Sequence, residues 1–414
     1  MRQNNMKIDL PENVSFIINE FFKKGYEAYA VGGCVRDSLL GKIPYDWDIC
    51  TNATPDEVEK IFKNQKIIKT GIKHGTVTLL LENIPYEITT YRTDGIYLDN
   101  RRPESIEFVK NLNEDLKRRD FTINAMAYNK FSELVDLFGG SADLQKKIIK
   151  CVGEPDKRFF EDALRIMRAI RFSATLSFEI EENTKKSIKK NRHLLKNIAK
   201  ERINTEFSKA LLSDNANFLK DYKDVLEVFL PEAKKFSKSL SQTVQLLKKD
   251  IITRLSCIFI CTDTEVSQCI KTLKDLKYDS KTVTGVISVL DNYNTPKSPD
   301  TKTLCHLLSK TDFKTLKRVF EIKVSSAKVL NDHKSILEHT NTLLNLSEIE
   351  KNKCCIKICD LSIDGNDLIE SGIPAGEILG RILDELLYLV IEEKLKNTKD
   401  ALINCAKKLY KTEE

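Results

Sequence analysis

Asp46-Trp47-Asp48 sets two carboxylates two residues apart. On a strand, side chains at that spacing point to one face. Two unpaired carboxylates repel each other unless a cation sits between them. A hard divalent ion such as Mg²⁺ prefers these oxygen ligands and keeps room for substrate phosphates. With two ions in such a site, one activates an attacking hydroxyl and the other steadies a leaving pyrophosphate. An ordinary pair of surface aspartates has the same spacing, so the surroundings must decide. Upstream runs Val31-Gly32-Gly33-Cys34-Val35-Arg36-Asp37. A Gly-Gly turn lets backbone amides approach a phosphate, and a helix starting there aims its positive end at the turn. Gly33 and Arg36 are therefore candidate nucleotide-binding residues, with Arg36 reaching a triphosphate from the first helical turn. Other phosphate motifs fail. No G-x-G-x-x-G is present here, and Gly41-Lys42 is followed by Ile43, with Arg36 where a P-loop needs its first glycine.

These residues need elements to hold them. Val14, Ile17, Ile18, Phe21 and Phe22 recur at helical spacing and stop at Gly25, a good C-terminal cap. Tyr26 to Val31 reads as a strand, and Gly32-Gly33 turns it into a short helix. Thr54-Pro55-Asp56-Glu57 has the form of a capping box with proline in the first turn. Thr76 to Leu81 and Tyr86 to Tyr91 are β-rich and predict a hairpin through Glu82-Asn83-Ile84-Pro85. After Gly139-Gly140, helical periodicity dominates. The expected division is 1–145, 146–215, 216–320 and 321–414, a mixed α+β unit followed by helical ones.

A second charged pattern lies in the helical part. Over Ala163 to Ala174, Ala163, Ile166, Met167 and Ile170 share one side of a helix, while Asp162, Arg165, Arg168 and Arg171 spread over the other half. A solvated polar face would read the same way. Further on, Lys185, Lys186, Lys189, Lys190, Arg192, Lys196, Lys200 and Arg202 stand against one acid, Glu201. This is either a solvated face or a nucleic-acid contact.

Composition sets limits. The 414 residues are 41% hydrophobic, enough for several cores, and the net charge of +6 is too mild to announce nucleic acid alone. No run approaches the roughly 20 apolar residues of a membrane span. The polar stretch Met1 to Pro11 lacks a signal-peptide core, so a cytoplasmic protein is expected. None of the eleven cysteines forms Cys-x-x-Cys, which favours reduced thiols over zinc or disulfides.

The run G-G-x-V-R-D followed by D-x-D resembles the first motif of the class II tRNA nucleotidyltransferases, the family of CCA-adding enzymes and bacterial poly(A) polymerases. Arg118-Arg119-Asp120-Phe121-Thr122-Ile123-Asn124-Ala125-Met126-Ala127 is similar to the second motif. Asp136 to Gly140 fits the stretch joining head to neck. Glu161-Asp162-x-x-Arg165 resembles the base-selecting motif, and Glu201-Arg202-x-x-x-Glu206 the helix that braces it.

The resemblance implies a DNA polymerase beta-like head, then an all-α neck, body and tail. It implies template-independent addition of CCA to the 3′ end of tRNA from CTP and ATP, with Mg²⁺ held by Asp46 and Asp48. Glu87 is then a third carboxylate that completes the metal site or deprotonates the 3′ hydroxyl, unless it is structural. Arg119 contacts the nucleotide, and the polar half of the 163–174 helix lines its pocket. Cytosine and adenine both present an amine beside a bare ring nitrogen, which Asp162 and Arg165 complement. Uracil and guanine reverse both groups. Arg168 and Arg171 are left for the triphosphate or the RNA end. The charged loop Asp94 to Pro103 is expected to serve the switch from CTP to ATP, or else is a plain hairpin excursion. Gly365 to Asn397 resembles the tail of compact, Bacillus-like members, which holds the outer part of tRNA. No protein partner is expected. The rival readings are an enzyme adding only the final A or poly(A), and a non-catalytic RNA-binding protein on the same fold.

Overall fold

The computed structural model describes residues 7–94 and 106–413. Past Asp94, the loop running to Pro103 lies outside the described residues. The chain forms two compact units, 1–234 and 235–414.

The first unit opens with α1 (Glu12–Lys23), whose Val14, Ile17, Ile18 and Phe21 are buried. The chain turns at Gly25, φ +82°, and enters β1 (Ala28–Val31). Then come α2 (Gly33–Leu39), β2 (Ile49–Thr51) and α3 (Pro55–Ile61). Helix α3 begins with the expected capping box: the Thr54 N–H and hydroxyl both donate to the Glu57 carboxylate. β3 (Lys66–Ile68) precedes the hairpin of β4 (Thr76–Leu81) and β5 (Ile84–Thr90). Its two-residue turn, Glu82-Asn83, has both φ angles positive, the geometry whose twist suits a tight hairpin.

After β6 (Arg92–Asp94), β7 (Ile106–Phe108) and α4 (Leu112–Lys117), β8 (Met126–Asn129) and β9 (Glu133–Asp136) complete a seven-stranded sheet. Its order is β3-β4-β5-β2-β1-β8-β9, and β2 runs parallel to β5 while its other pairings are antiparallel. Only a mixed sheet of this kind puts the strand after the Asp46-Asp48 segment between the strands carrying Glu87 and the glycine turn.

Helices then take over: α5 (Gly140–Gln145), α6 (Pro155–Glu161), α7 (Leu164–Leu176), α8 (Glu182–Asn191) and α9 (Lys200–Leu211). Two short strands, β10 (Ile148–Ile149) and β11 (Glu179–Ile180), pair in parallel between them, a feature the sequence pattern did not announce. Gly140 must be glycine, since a Cβ there would lie 2.2 Å from the Thr122 carbonyl oxygen. Asp136 accepts from the backbone N–H groups of Gly140 and Ser141 at 2.7 and 2.8 Å and locks the turn.

The second unit is all helical among the described residues. Five of its helices start with aspartate three residues before threonine or serine. Asp250, Asp279, Asp300, Asp312 and Asp332 accept from the N–H of Thr253, Thr282, Thr303, Thr315 and Ser335. Each such cap is worth about 1 kcal/mol. The position expected for a boundary near residue 320 lies inside the helix Phe313–Val329. The helix runs unbroken through residue 320, and the next break comes at Asn331, φ +55°. The two units divide after Lys234, beside the 3₁₀ turn that starts at Pro231. Residues 1–145 and 146–215 fall within one compact unit. Among the described residues, no helix is long and apolar enough to cross a membrane.

Candidate active site

The carboxylate pair sits beside the glycine turn. Asp46 and Asp48 are not in a strand as expected: β2 starts at Ile49, and both lie in the segment feeding it, exposed to solvent. The backbone nevertheless pairs early. The Val31 N–H donates to the Asp48 carbonyl at 2.9 Å, which fixes Asp48 next to Gly32-Gly33. Parallel register matches Ile49 with Ile88, so the preceding residues, Asp48 and Glu87, are neighbours. Although one side of Asp48 is open to solvent, surrounding protein desolvates it. That desolvation first, then repulsion from Asp46 and Glu87, pushes its carboxyl up to about 6, against the opposing charge of Arg119.

Three carboxylates thus converge with no cation bonded to them among the described residues. No group of three His, Cys, Asp or Glu side chains there is placed to hold a metal ion. An open, two-carboxylate donor set fits a cation that completes its shell with water and substrate phosphates.

Arg119 leans over the glycine turn. Gly32 has φ +81°, and a Cβ there would come within 3.3 Å of Arg119 Nη1, so glycine is needed for backbone and for space. Arg119 Nη2 donates to Asp115 at 3.1 Å, while its Nε is buried with no acceptor among the described residues. An orphaned guanidinium donor beside an amide-lined turn is suited to an incoming anion. Asp115, fully buried on α4, also accepts from Arg118 Nη2 at 2.6 Å. Burial would raise its carboxyl, but the charges of Arg119 and Arg118 outweigh that and hold it below the usual carboxylate range. The sequence reading missed Asp115. Its only signal was position, three and four residues before the two arginines.

Arg36 does not stand open beside the turn. It is buried, its Nη1 donates to Asn124 Oδ1 at 2.7 Å, and its Nε and Nη2 hold Asp37 at 2.9 and 2.8 Å. Asn124 in turn donates to Asp120 Oδ1 at 3.2 Å, and Arg168 Nε donates to Asp120 Oδ2 at 2.7 Å. Burial tends to raise Asp120, yet the Arg168 charge and its hydrogen bond outweigh that and lower it to about 2. Arg36, Arg168 and Arg171 all face the ring of Phe172, at 5.2, 5.3 and 3.9 Å from its centre.

The polar half of α7 is therefore not a solvated face. Arg171 is held by Glu206 of α9, which also lies 3.8 Å from Arg168. Arg165 is buried, with Nη1 on Glu161 at 2.9 Å and Nη2 on the Arg118 carbonyl at 2.8 Å. Asp162 follows the last residue of α6, caps the Leu164 N–H at 3.1 Å and pairs with Arg202 Nη2 at 2.9 Å. The structure thus brings Asp46, Asp48 and Glu87 into one group with Gly33 and Arg119 close by, and Asp162, Arg165, Arg168 and Arg171 onto one helix and its start. Of the basic stretch, Lys186, Lys189, Lys190, Arg192 and Lys196 are exposed.

A mixed sheet presenting paired carboxylates beside a Gly-Gly turn, backed by arginine-rich helices, defines a nucleotidyltransferase head with a helical neck. Residues 28–150 match the family described as "Poly A polymerase head domain", and 232–406 a second-domain family of tRNA nucleotidyltransferases. Residues 177–236 match "Probable RNA and SrmB- binding site of polymerase A". The chain is 38% identical to the CCA-adding enzyme of Ligilactobacillus salivarius, covering 95% of each. It is 36% identical to that of Pediococcus pentosaceus, covering 97% of this chain and 98% of the relative. The crystal structure of the Bacillus stearothermophilus CCA-adding enzyme in complex with CTP superposes with a TM-score of 0.76 at 28% identity, covering 97% of each chain. The chain belongs to the CCA-adding enzymes, the tRNA nucleotidyltransferases of this fold.

Proposed function

We propose that this chain adds C, C and A to the 3′ end of tRNA from CTP and ATP, releasing pyrophosphate, and that it works in the cytoplasm. The observation that carries the reading is the convergence of Asp46, Asp48 and Glu87 beside Gly32-Gly33, where Arg119 keeps a buried donor without a partner. Asp46 and Asp48 would hold the cation. Bound there, Mg²⁺ would lower the pKa of the attacking 3′ hydroxyl and offset the charge growing on the leaving pyrophosphate. Glu87 would add a ligand or accept the hydroxyl proton. Gly33 opens the α2 N-terminus to the triphosphate, and Arg119 supplies charge-assisted bonds to it.

Base choice falls to Asp162 and Arg165. Asp162 would accept from the amine of cytosine or adenine, and Arg165 would donate to the bare ring nitrogen. Their present partners, Arg202 and Glu161, orient both groups from behind. Arg168 and Arg171, tied to Asp120 and Glu206, keep α7 registered against the head residues, so that the base is read at a fixed distance from the carboxylates. Arg36, placed under the turn by Asp37 and Asn124, would steady α2 and add positive charge near the phosphates. Exposed lysines of α8 would meet the tRNA backbone. Incubation with tRNA lacking CCA and each nucleotide in turn tests the reading. Sequential incorporation of two C and one A is expected. Incorporation of A alone, or of a long A tract, would overturn it in favour of the rival activities.

A further inference from the structure

The segment joining α2 to β2 carries chemistry that the reaction above does not use. It leaves α2 through Gly41, φ +71°, and its start is pinned by the Lys42 N–H bonding to the Asp37 carbonyl at 2.9 Å. Its end is pinned by Val31 on Asp48. Between these anchors stand Lys42-Ile43-Pro44-Tyr45. Ile43 is 98% exposed and Tyr45 103% exposed, the two most exposed large hydrophobic side chains among those of the described residues. Pro44 stiffens the backbone between them. Tyr45 is bonded directly to Asp46, so its Cα lies about 3.8 Å from that of a proposed metal ligand.

We propose that Tyr45, flanked by Ile43, is the platform on which the 3′-terminal nucleotide of the tRNA acceptor end stacks, with Lys42 serving its backbone phosphate. This rests on the reading of Asp46 and Asp48 as the catalytic pair. Single-stranded nucleic acid is held by a free aromatic face combined with positive charge, and Lys42-Ile43-Pro44-Tyr45 supplies both on a short, anchored loop. Geometry selects the occupant. In-line displacement puts the attacking and leaving oxygens on opposite sides of the phosphorus. The glycine turn at the N-terminus of α2 takes the leaving phosphates. The Tyr45 segment runs from the other end of that helix to Asp46, and the proposal places the attacking hydroxyl on its side. A stacked terminal base would hold its 3′ hydroxyl toward Asp46.

The test compares Tyr45→Ala with Tyr45→Phe, using tRNA that lacks its CCA end. Trp47, the sole tryptophan, lies between the two aspartates, and its fluorescence should respond to nucleotide binding in every variant. Tyr45→Ala should lower kcat/KM for tRNA about tenfold, within the range of one lost base stack. The CTP dissociation constant read from Trp47 should stay within about twofold. Tyr45→Phe keeps the ring and should restore most of the loss. Unchanged kcat/KM for tRNA in Tyr45→Ala would overturn the platform while leaving the catalytic pair intact. So would an equal weakening of CTP binding, which would make the loop a mere support for the aspartates. Normal transfer by Asp46→Ala would instead sink the reading on which the platform rests.

Discussion

The two charged centres of the first unit are built on opposite plans. The head carboxylates gather like charges beside solvent, and among the described residues no cation is bonded to Asp46, Asp48 or Glu87. The neck charges are paired throughout: Asp162 with Arg202, Arg165 with Glu161, Arg168 with Asp120, and Arg171 with Glu206. In the first arrangement desolvation, and after it repulsion from Asp46 and Glu87, raises the Asp48 carboxyl, and a bound cation would offset both. The second is internally neutral and held in place, which suits a surface that must offer one fixed donor and acceptor pattern. The proposed function leaves chemistry to the first centre and selection to the second.

The largest effect should come from breaking the head. Asp46→Ala or Asp48→Ala should lower both C and A transfer by about 10³-fold or more, the several kcal/mol a lost cation contributes to the transition state. Folding should respond the other way. Removing one of two repelling carboxylates should leave Tm unchanged or raise it, because functional like-charge clusters oppose stability. A marked fall in Tm for either variant, by thermal unfolding, would show that these aspartates have a structural partner and would erase the contrast.

Breaking the neck should act on choice. Asp162→Ala and Arg165→Ala should lower use of CTP and ATP and relax discrimination against UTP and GTP by about 10- to 100-fold, since each mismatch leaves polar groups unpaired at about 1–3 kcal/mol. Transfer itself should persist at a reduced rate. Asp162→Ala should also destabilise the fold, because Arg202 and the Leu164 N–H lose an acceptor. Incorporation assays with all four nucleotides separate the outcomes. A uniform fall with unchanged ratios would make this helix structural.

A third test targets the joint between the two plans. Asp120 takes Asn124 on one oxygen and Arg168 on the other. Its folded carboxyl is lowered to about 2 from an ordinary 3.8, so its stabilising contribution is complete above the unfolded value and fades as pH falls through the folded one. The difference corresponds to about 2 kcal/mol. Asp120→Asn should therefore unfold at lower urea than the native chain at pH 7. That gap should begin to close only below about pH 4. A gap that shrank already between pH 7 and 5 would point to another titrating group.

How much of this was legible follows from how local each feature is. The Thr54 cap, the Gly25 stop and the β4–β5 hairpin depend on neighbours within a few residues, and the sequence displays them. The Asp46-Asp48 pair and the Asp162–Arg165 pair were visible as spacing, and the family resemblance gave that spacing meaning. What stayed hidden depends on distant chain segments. Asp115 is a carboxylate with no exposed surface, explained only by two arginines folding onto it. Arg36 looked free for a triphosphate, because nothing near it in sequence reveals Asn124 or Phe172. The parallel step between β2 and β5, which sets Glu87 beside Asp48, is likewise a tertiary fact.

The smallest effect should come from the exposed cations of α8 and the turn after it, and it refines the contrast between free and paired charge. Lys189 and Arg192 stand exposed without an acid bonded to them among the described residues, whereas Lys190 is bonded to Asp156. A cation already neutralised by a carboxylate releases fewer counterions when a phosphate replaces that partner. Lys189→Ala and Arg192→Ala should each weaken tRNA binding several-fold and flatten its log–log salt dependence by about 0.7–0.9. Lys190→Ala should change the slope by less. Asp156→Asn, which frees Lys190, should steepen it. The measurement is tRNA affinity from about 50 to 200 mM salt, the range over which counterion release is large. Equal slopes for all four variants and the native chain would mean that this face is solvated and that the RNA backbone is held elsewhere.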